Sequence, residues 1–337
     1  MIHFDVTKSA TAGHRSGLTR VSARLLAELG PAAAPVKWPA RDVPPGDWWL
    51  TAELFSEEER PGLTEFLRTR GFHKAAIFHD AIPLKLPHLT WPRSVARHPG
   101  YLKLLAEFDR VWAVSAASRD ELLGFWRWLG LERTPPVEVL PLGADFDGAP
   151  RASGPVTAGA VPRQLLSVGI LEPRKNQSLL LDACTDLWTE GLDFELHLVG
   201  RVNPHFGPPI LARIRELRRR FPGLRYHAAA TDAEVAGLYA AAWATVFPTL
   251  AEGCGLPLLE SLWRGVPCVC SDLPVLGENA AGGGCLPVAA GDRAAWREAL
   301  RRVLTDDALR ARLAGAARSR PLPTWAGAAQ VLRAALG

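Results

Sequence analysis

The stretch "FPTLAEGCGLPLLESLWRGVPCVCSD", Phe247 to Asp272, holds two glutamates, Glu252 and Glu260, with seven residues between them. Gly253, Gly255 and Gly265 surround them. A carboxylate accepts hydrogen bonds from two neighbouring hydroxyls at once, so two acids spaced around a turn suit a ligand with a polyol at each end. Pro257 is well placed to open a helix, because its missing N–H would have no partner there. The amides that follow, near Leu258 and Leu259, are then expected to be unpaired and to favour an anion. Gly253 and Gly255 let a ligand come close to the backbone. Two carboxylates beside an anion conflict only if both face it. A nucleotide sugar removes the conflict. Glu252 and Glu260 would grip its two ends, and the helix terminus, from Leu256 onward, would hold the diphosphate between them.

Such a loop has to be carried by a regular frame. Short apolar runs alternate with helical patterns almost throughout the chain. "IHFDV" (2–6) reads as a buried strand and "LTRVSARLLAELG" (18–30) as a helix closed by Gly30. Strand 75–80, helix 101–108, strand 110–115, helix 118–130 and strand 137–143 follow. This alternation predicts βα units around a parallel sheet. "ADFDGAPRASGPVTAGAVPR" (144–163) has no period and is rich in Ala, Gly and Pro, as a linker would be. The alternation restarts at "QLLSVG" (164–169). After it come helix 177–190, strand 194–200, helix 209–220, strand 224–228, helix 231–242, strand 244–248, helix 257–264 and strand 266–270. Thr231 and Glu234 have capping-box spacing. The reading is two doubly wound α/β domains, 1–150 and 164–320, joined by a linker at 151–163. The Pro-interrupted helix 321–337 is expected to pack back on the first. In such sheets ligands bind at the carboxyl ends of strands, and the cleft between the domains is the expected active site.

The bulk numbers exclude several classes. With 48% hydrophobic and 22% charged residues the chain is not disordered. A net charge of +4 does not call for nucleic acid. "RIRELRRR" (213–220) reads as the solvated face of a helix, with anionic headgroups as the competing partner. The five cysteines, Cys184, Cys254, Cys268, Cys270 and Cys285, form no C-x-x-C pair and no zinc spacing. Reduced, mostly buried thiols in the cytoplasm are expected. No apolar run is long enough to cross a bilayer, and "MIHFDVTKS" lacks signal-peptide character, so any membrane role is a peripheral one at the inner face.

Segment 247–272, with "EGCGLPLLE" followed by "GVP", resembles the donor-site signature of glycosyltransferase family 4, whose fold is GT-B: two Rossmann-like domains facing across a cleft. "LLSVGILEPRKNQSLLLDA" (165–183) is similar to that family's first donor-domain unit. "DVTKSATAGHRSGLTRV" (5–21) and "FHDAIPL" (78–84) resemble the N-terminal loop and the His-Asp motif of one bacterial branch. The resemblance implies that Glu252 contacts the transferred sugar and Glu260 the ribose. It puts Arg174 and Lys175 on the diphosphate, where they would stabilise charge gained by the leaving group. It places His79 near the reacting sugar and Gly17 where the donor phosphates approach. Gly169, Gly253, Gly255 and Leu256 fall in the donor-binding segments. Asp80 is positioned to orient His79. Arg20, on the first helix, faces either acceptor or solvent. Gly169-Ile170 stands where many members have Gly-Arg, and Cys254 where many have an aromatic residue.

The implied activity is transfer of a sugar, with retained anomeric configuration, from a nucleotide diphosphate donor to a glycan or lipid-linked acceptor in surface polysaccharide assembly. Mannose-like or rhamnose-like donors follow by analogy alone. No cofactor and no metal are expected. The metal-like "DFD" (145–147) falls in the linker and reads as coincidence. Competing readings are a synthase of a small disaccharide or sugar phosphate, favoured if His73, Lys74 and Lys85 make a basic acceptor pocket, and an inactive sugar-nucleotide-binding scaffold. Ser115 reads equally as a helix cap or an acceptor contact. Trp126 and Trp128, with Leu122 and Leu129, fit one helix.

Overall fold

The computed structural model describes residues 1–337 apart from 12–16, 41–42, 146–147, 149 and 154–161. Part of the N-terminal glycine-containing loop, the last two residues of "DFD" and most of the expected linker therefore lie outside the described residues. The chain divides into two compact units, Met1–Gly143 with Pro323–Gly337, and Ala144–Leu322.

The first unit is built on six parallel strands: β1 (Ile2–Asp5), β2 (Ala33–Val36), β3 (Trp48–Thr51), β4 (His73–Phe78), β5 (Arg110–Ala113) and β6 (Val137–Val139). Their order is β2-β1-β3-β4-β5-β6. Ile2 on β1 pairs with Ala33 on one side and Trp48 on the other. Helices cover the sheet, so its central strands are buried on both faces and read as unbroken apolar runs. Ala75, Ala76, Ile77 and Phe78 of β4 are all buried. Trp49, Phe55, Phe78, Tyr101, Leu102, Phe108 and Trp126 form the core on one side. Burying such side chains contributes about 1.5–3 kcal/mol each.

The second unit has β7 (Arg163–Val168), β8 (Phe194–Val199), β9 (Leu224–His227), β10 (Ala244–Phe247), β11 (Cys268–Ser271) and β12 (Cys285–Val288). All pair in parallel, in the order β12-β11-β10-β7-β8-β9. This is the doubly wound order, and the winding reverses between β7 and β10. Leu165, Leu180, Leu196, Ile214, Val246, Trp296 and Leu300 lie in its core.

Three strands go beyond the sequence expectation. β2 contains Pro35 and β12 contains Pro287, and both lie at sheet edges, where a missing N–H is tolerated. β3, the run WWLT, is internal. The helix expected from 101 begins at Pro92 and carries Pro99 within it. The capping box at Thr231 and Glu234 forms as expected. The helix Trp325–Leu336 packs on the helix Gly17–Leu29, where Arg333 Nη1 donates to the Glu28 carbonyl at 2.8 Å. Gly143 lies beneath its first turn. A Cβ there would sit 2.3 Å from the Trp325 nitrogen, so no side chain fits without moving the helix. Among the described residues, no helix is long and apolar enough to cross a membrane.

Candidate functional site

The loops after β7 and β10 are tied together at the winding reversal. Leu250 donates its amide to the Arg174 carbonyl at 2.8 Å. The first loop runs through a 3₁₀ turn, Pro173–Lys175, that carries both expected cations. The second carries Glu252. Residues 77 positions apart in sequence thus meet. Lys175 Nζ donates to Glu252 Oε1 at 2.5 Å. Arg174 Nη1 reaches the same oxygen at 3.3 Å and the Ala251 carbonyl at 2.7 Å. The Thr249 hydroxyl donates to that oxygen as well, at 2.7 Å.

Two participants were missed from sequence. Glu172, 8% exposed, accepts from Arg174 Nη2 at 2.7 Å on one oxygen and from Asn203 Nδ2 at 3.0 Å on the other. It therefore fixes the guanidinium from behind. Thr249, fully buried, fixes the Glu252 carboxylate. Both stand within or beside the quoted motifs, so the signal was their proximity alone.

Two cations thus face two carboxylates. Burial would raise the Glu252 carboxyl, but the charges of Lys175 and Arg174 outweigh it and hold the group below its usual range. Burial, helped by the like charge of Arg174, pulls the Lys175 ammonium down against the pull of Glu252. The ammonium also lies over the Phe247 ring, 5.0 Å from its centroid.

Glu260 lies on the helix Leu256–Trp263 and is 4% exposed. Tyr239 donates its hydroxyl to Glu260 Oε2 at 3.3 Å. Leu256 opens this helix, so Pro257 is its second residue. The Leu258 and Leu259 amides are not unpaired as expected: both donate to the Gly255 carbonyl, at 3.0 and 3.3 Å. The tight turn that Gly255 makes brings its own carbonyl over them. Gly255 has a structural reason to be glycine, since its φ is +83° and a Cβ would meet Leu276 at 2.5 Å. Gly253 is buried beside Glu252. Gly169 follows β7 with the Lys175 side chain in ordinary contact. Burial, reinforced by the charges of Glu252 and Glu278, pushes the Cys254 thiol up to about 12, so it is not a nucleophile at neutral pH. Asn176 does not cap the following helix with its side chain. It adopts φ 55° and donates to the Ala290 carbonyl at 3.1 Å.

On the first unit, His79 follows β4 and is buried. Its Nε2 lies 2.8 Å from the Ala52 carbonyl, which can only accept, so Nε2 carries the proton. Burial pushes the imidazole below its usual range, against the carbonyl and the Asp80 charge. Asp80 does not orient the ring through its carboxylate, which accepts from the Ile82 amide at 3.0 Å. The backbone of Ala52 does that instead. Gly17 opens the first helix, and a Cβ there would meet nothing within 4 Å. Arg20 sits half-buried one turn further on.

Ser115 caps the helix Ala116–Trp128, accepting from the Ser118 amide, and Ser118 donates its hydroxyl to the His79 carbonyl at 2.8 Å. Trp126 is core, whereas Trp128 is 79% exposed. His73, Lys74 and Lys85 do not form a pocket. His73 stacks on Trp48, Lys74 donates to the Thr69 carbonyl, and Lys85 pairs with Glu121 beyond the other end of β4. Among the described residues, no group of three or more His, Cys, Asp or Glu is placed to hold a metal ion.

Residues 162–306, which include the whole β7–β10 site, match the family described as "Glycosyl transferases group 1". Over 243 residues, 68% of the chain, the sequence is 29% identical to a serotype-specific mannosyltransferase, WbdA, from Escherichia coli. The chain spans only 29% of that protein's length. Over 114 residues, 34% of the chain and 29% of the relative, it is 38% identical to an Escherichia coli O-antigen chain mannosyltransferase B. Among solved structures, HepE from Anabaena, in complex with UDP and glucose, superposes with TM-score 0.72 at 12% identity, covering 99% of this chain and 98% of that one. WaaG, a glycosyltransferase involved in lipopolysaccharide biosynthesis, superposes with TM-score 0.66 at 16% identity, covering 98% and 99%. The fold class is GT-B, with two Rossmann-like α/β units.

Proposed function

We propose that this chain is a glycosyltransferase that moves a sugar from a nucleotide diphosphate donor to a glycan or lipid-linked acceptor in surface polysaccharide assembly. The observation that carries the reading is the joining of Glu252, Lys175 and Arg174 at the winding reversal of the second sheet. A donor there would give its sugar hydroxyls to Glu252 and its ribose to Glu260. The mannosyltransferase relatives support a mannose-like sugar. Cations beside the diphosphate would take the role of a metal as leaving-group charge develops. Glu252, held by two cations and a hydroxyl, is a weak nucleophile. Retention is therefore assigned to reaction on one face of the sugar, with the leaving phosphate taking the acceptor proton. A lipid-linked acceptor would bring the chain to the inner membrane face as a peripheral protein.

The test separates the two acids. Glu260→Ala should weaken calorimetric affinity for the nucleotide diphosphate about tenfold or more, the scale of a lost hydrogen bond to a charged group. Glu252→Ala should keep that affinity and lose turnover. The reverse pattern would exchange the two ends of the ligand, and no effect of either would remove the reading. Transfer should also continue in a chelator. Complete loss, restored by magnesium or manganese, would overturn the metal-free assignment.

A further inference from the structure

The first unit contains a cavity of about 340 Å³, a size at the small end of ligand pockets. Its walls come from the segments after β1 (Lys8), β3 (Leu54, Phe55) and β4 (Pro83), and from the helix Pro92–Leu105. It therefore opens at the carboxyl edge of the first sheet, where doubly wound sheets bind ligands. His98 in its wall donates Nε2–H to the Asp80 carbonyl at 3.1 Å, next to His79.

The lining has two characters. Trp91, 43% exposed, supplies an aromatic wall with Leu54 and Pro83. The rim carries three cations, Lys8, Arg93 and Arg97, tied to two carboxylates, Glu58 and Glu59. Lys8 pairs with Glu59 at 2.8 Å, Arg97 with Glu59 at 2.9 Å, and Arg93 with Glu58 at 2.6 Å. A phosphate would meet the like charge of Glu59 in the cavity wall and find no donor on it. A hydroxyl-rich neutral ring meets no such repulsion, and carboxylate and guanidinium groups keep spare acceptor and donor positions for it. At the floor, Tyr101 is 2% exposed and its hydroxyl has no hydrogen-bond partner among the described residues.

The rim is held from below. Arg60, 1% exposed, pairs with Asp5 and Glu53 at 2.7 Å each. Glu53 in turn accepts the Lys8 amide on both oxygens, at 2.9 and 2.8 Å, and the Ser9 amide at 2.7 Å. A buried ionic network of this kind loses heavily if broken, so Lys8 is carried by a stiff backbone.

We propose that this cavity is a saccharide subsite that takes one neutral sugar ring of the glycan acceptor. The C–H face of the ring lies on Trp91 and its hydroxyls bond Glu59, Arg97 and Ser94. The word acceptor rests on the glycosyl-transfer reading; the sugar-binding claim does not.

The experiment titrates the full chain, without nucleotide, with linear tetrasaccharides of mannose, rhamnose and glucose at millimolar concentration, by calorimetry and saturation-transfer NMR. At least one should bind saturably. Trp91→Ala should weaken it about tenfold or more, on the scale of a lost aromatic anchor, and Ser94→Trp, which fills the cavity from an exposed position, should abolish it. Affinity for UDP and GDP should be unchanged in both variants. No saturable binding by the wild-type chain, equal binding by both variants, binding of sugar phosphates alone, or loss of nucleotide affinity in the variants would each overturn the proposal. If tetrasaccharide binding follows Trp91 while Glu260→Ala leaves nucleotide affinity untouched, the subsite stands and the donor reading falls. If nucleotide affinity follows Glu260 while tetrasaccharide binding ignores Trp91, the donor reading stands and the subsite falls.

Discussion

Lys175→Ala is expected to lower turnover about a hundredfold or more, the scale of removing one preorganised donor from developing negative charge. The Lys175 ammonium is buried, 2.5 Å from Glu252 Oε1, so its field acts in a medium far less screening than water. The substitution does not orphan the carboxylate, because Arg174 and Thr249 still hold it at 3.3 and 2.7 Å. Folding should therefore survive, and a melting curve recorded beside the initial rate at saturating donor separates the two effects. A rate within a few-fold of wild type would make Lys175 a bystander in the chemistry.

His79→Ala should lower turnover by up to about a hundredfold, as loss of a buried hydrogen-bond partner does, while nucleotide diphosphate affinity stays nearly intact. The nucleotide is assigned to residues of the second unit, whereas His79 belongs to the first. With Nε2–H donated to the Ala52 carbonyl, Nδ1 is left as an acceptor for a sugar hydroxyl. Its role thus depends on the neutral ring. A pH signature accompanies this. The folded-state value lies below the ordinary 6.5, so the unfolded chain takes up the proton first as pH falls. The stability of the neutral buried ring is fully present above 6.5 and is lost as pH falls through the lower folded value. His98 shifts the same way and adds to the loss. Melting temperatures at pH 7.5 and 5.5 should differ less in His79→Ala than in wild type. Affinity that collapses while the saturated rate stays normal would place His79 in the nucleotide pocket instead.

How far the molecule could be read from its sequence depends on how local each determinant is. Strands such as β4 and β10 announce themselves because burial on both faces demands unbroken apolar runs. β2 and β12 do not, since Pro35 and Pro287 argue against a strand unless its edge position is known, and edge position is a property of the whole sheet. The helix from Pro92 was legible only after Pro99 for a similar reason. In the site, Glu252, Arg174 and Lys175 were visible as residue types in a motif. Their mutual bonds were not, because they depend on β7 and β10 being neighbours. Glu172 acquires its role through Asn203, 31 residues away, and His79 through a backbone carbonyl, which has no residue-type signature at all.

The closed pairing of Lys175 and Arg174 with Glu252 and Glu172 has a consequence for what the protein attracts. Its cations are not on offer. A bare anion drawing Lys175 away would take one of the three groups that hold the Glu252 carboxylate and give it nothing in return. A ligand bringing an anion and hydroxyls together can exchange partners on both sides, with Lys175 passing to phosphate as Glu252 passes to sugar. On the proposed donor reading, the cluster would thus work as a coincidence gate. Inorganic phosphate, which brings no sugar hydroxyls for Glu252, would leave it shut. An intact donor would supply both halves of the exchange at once.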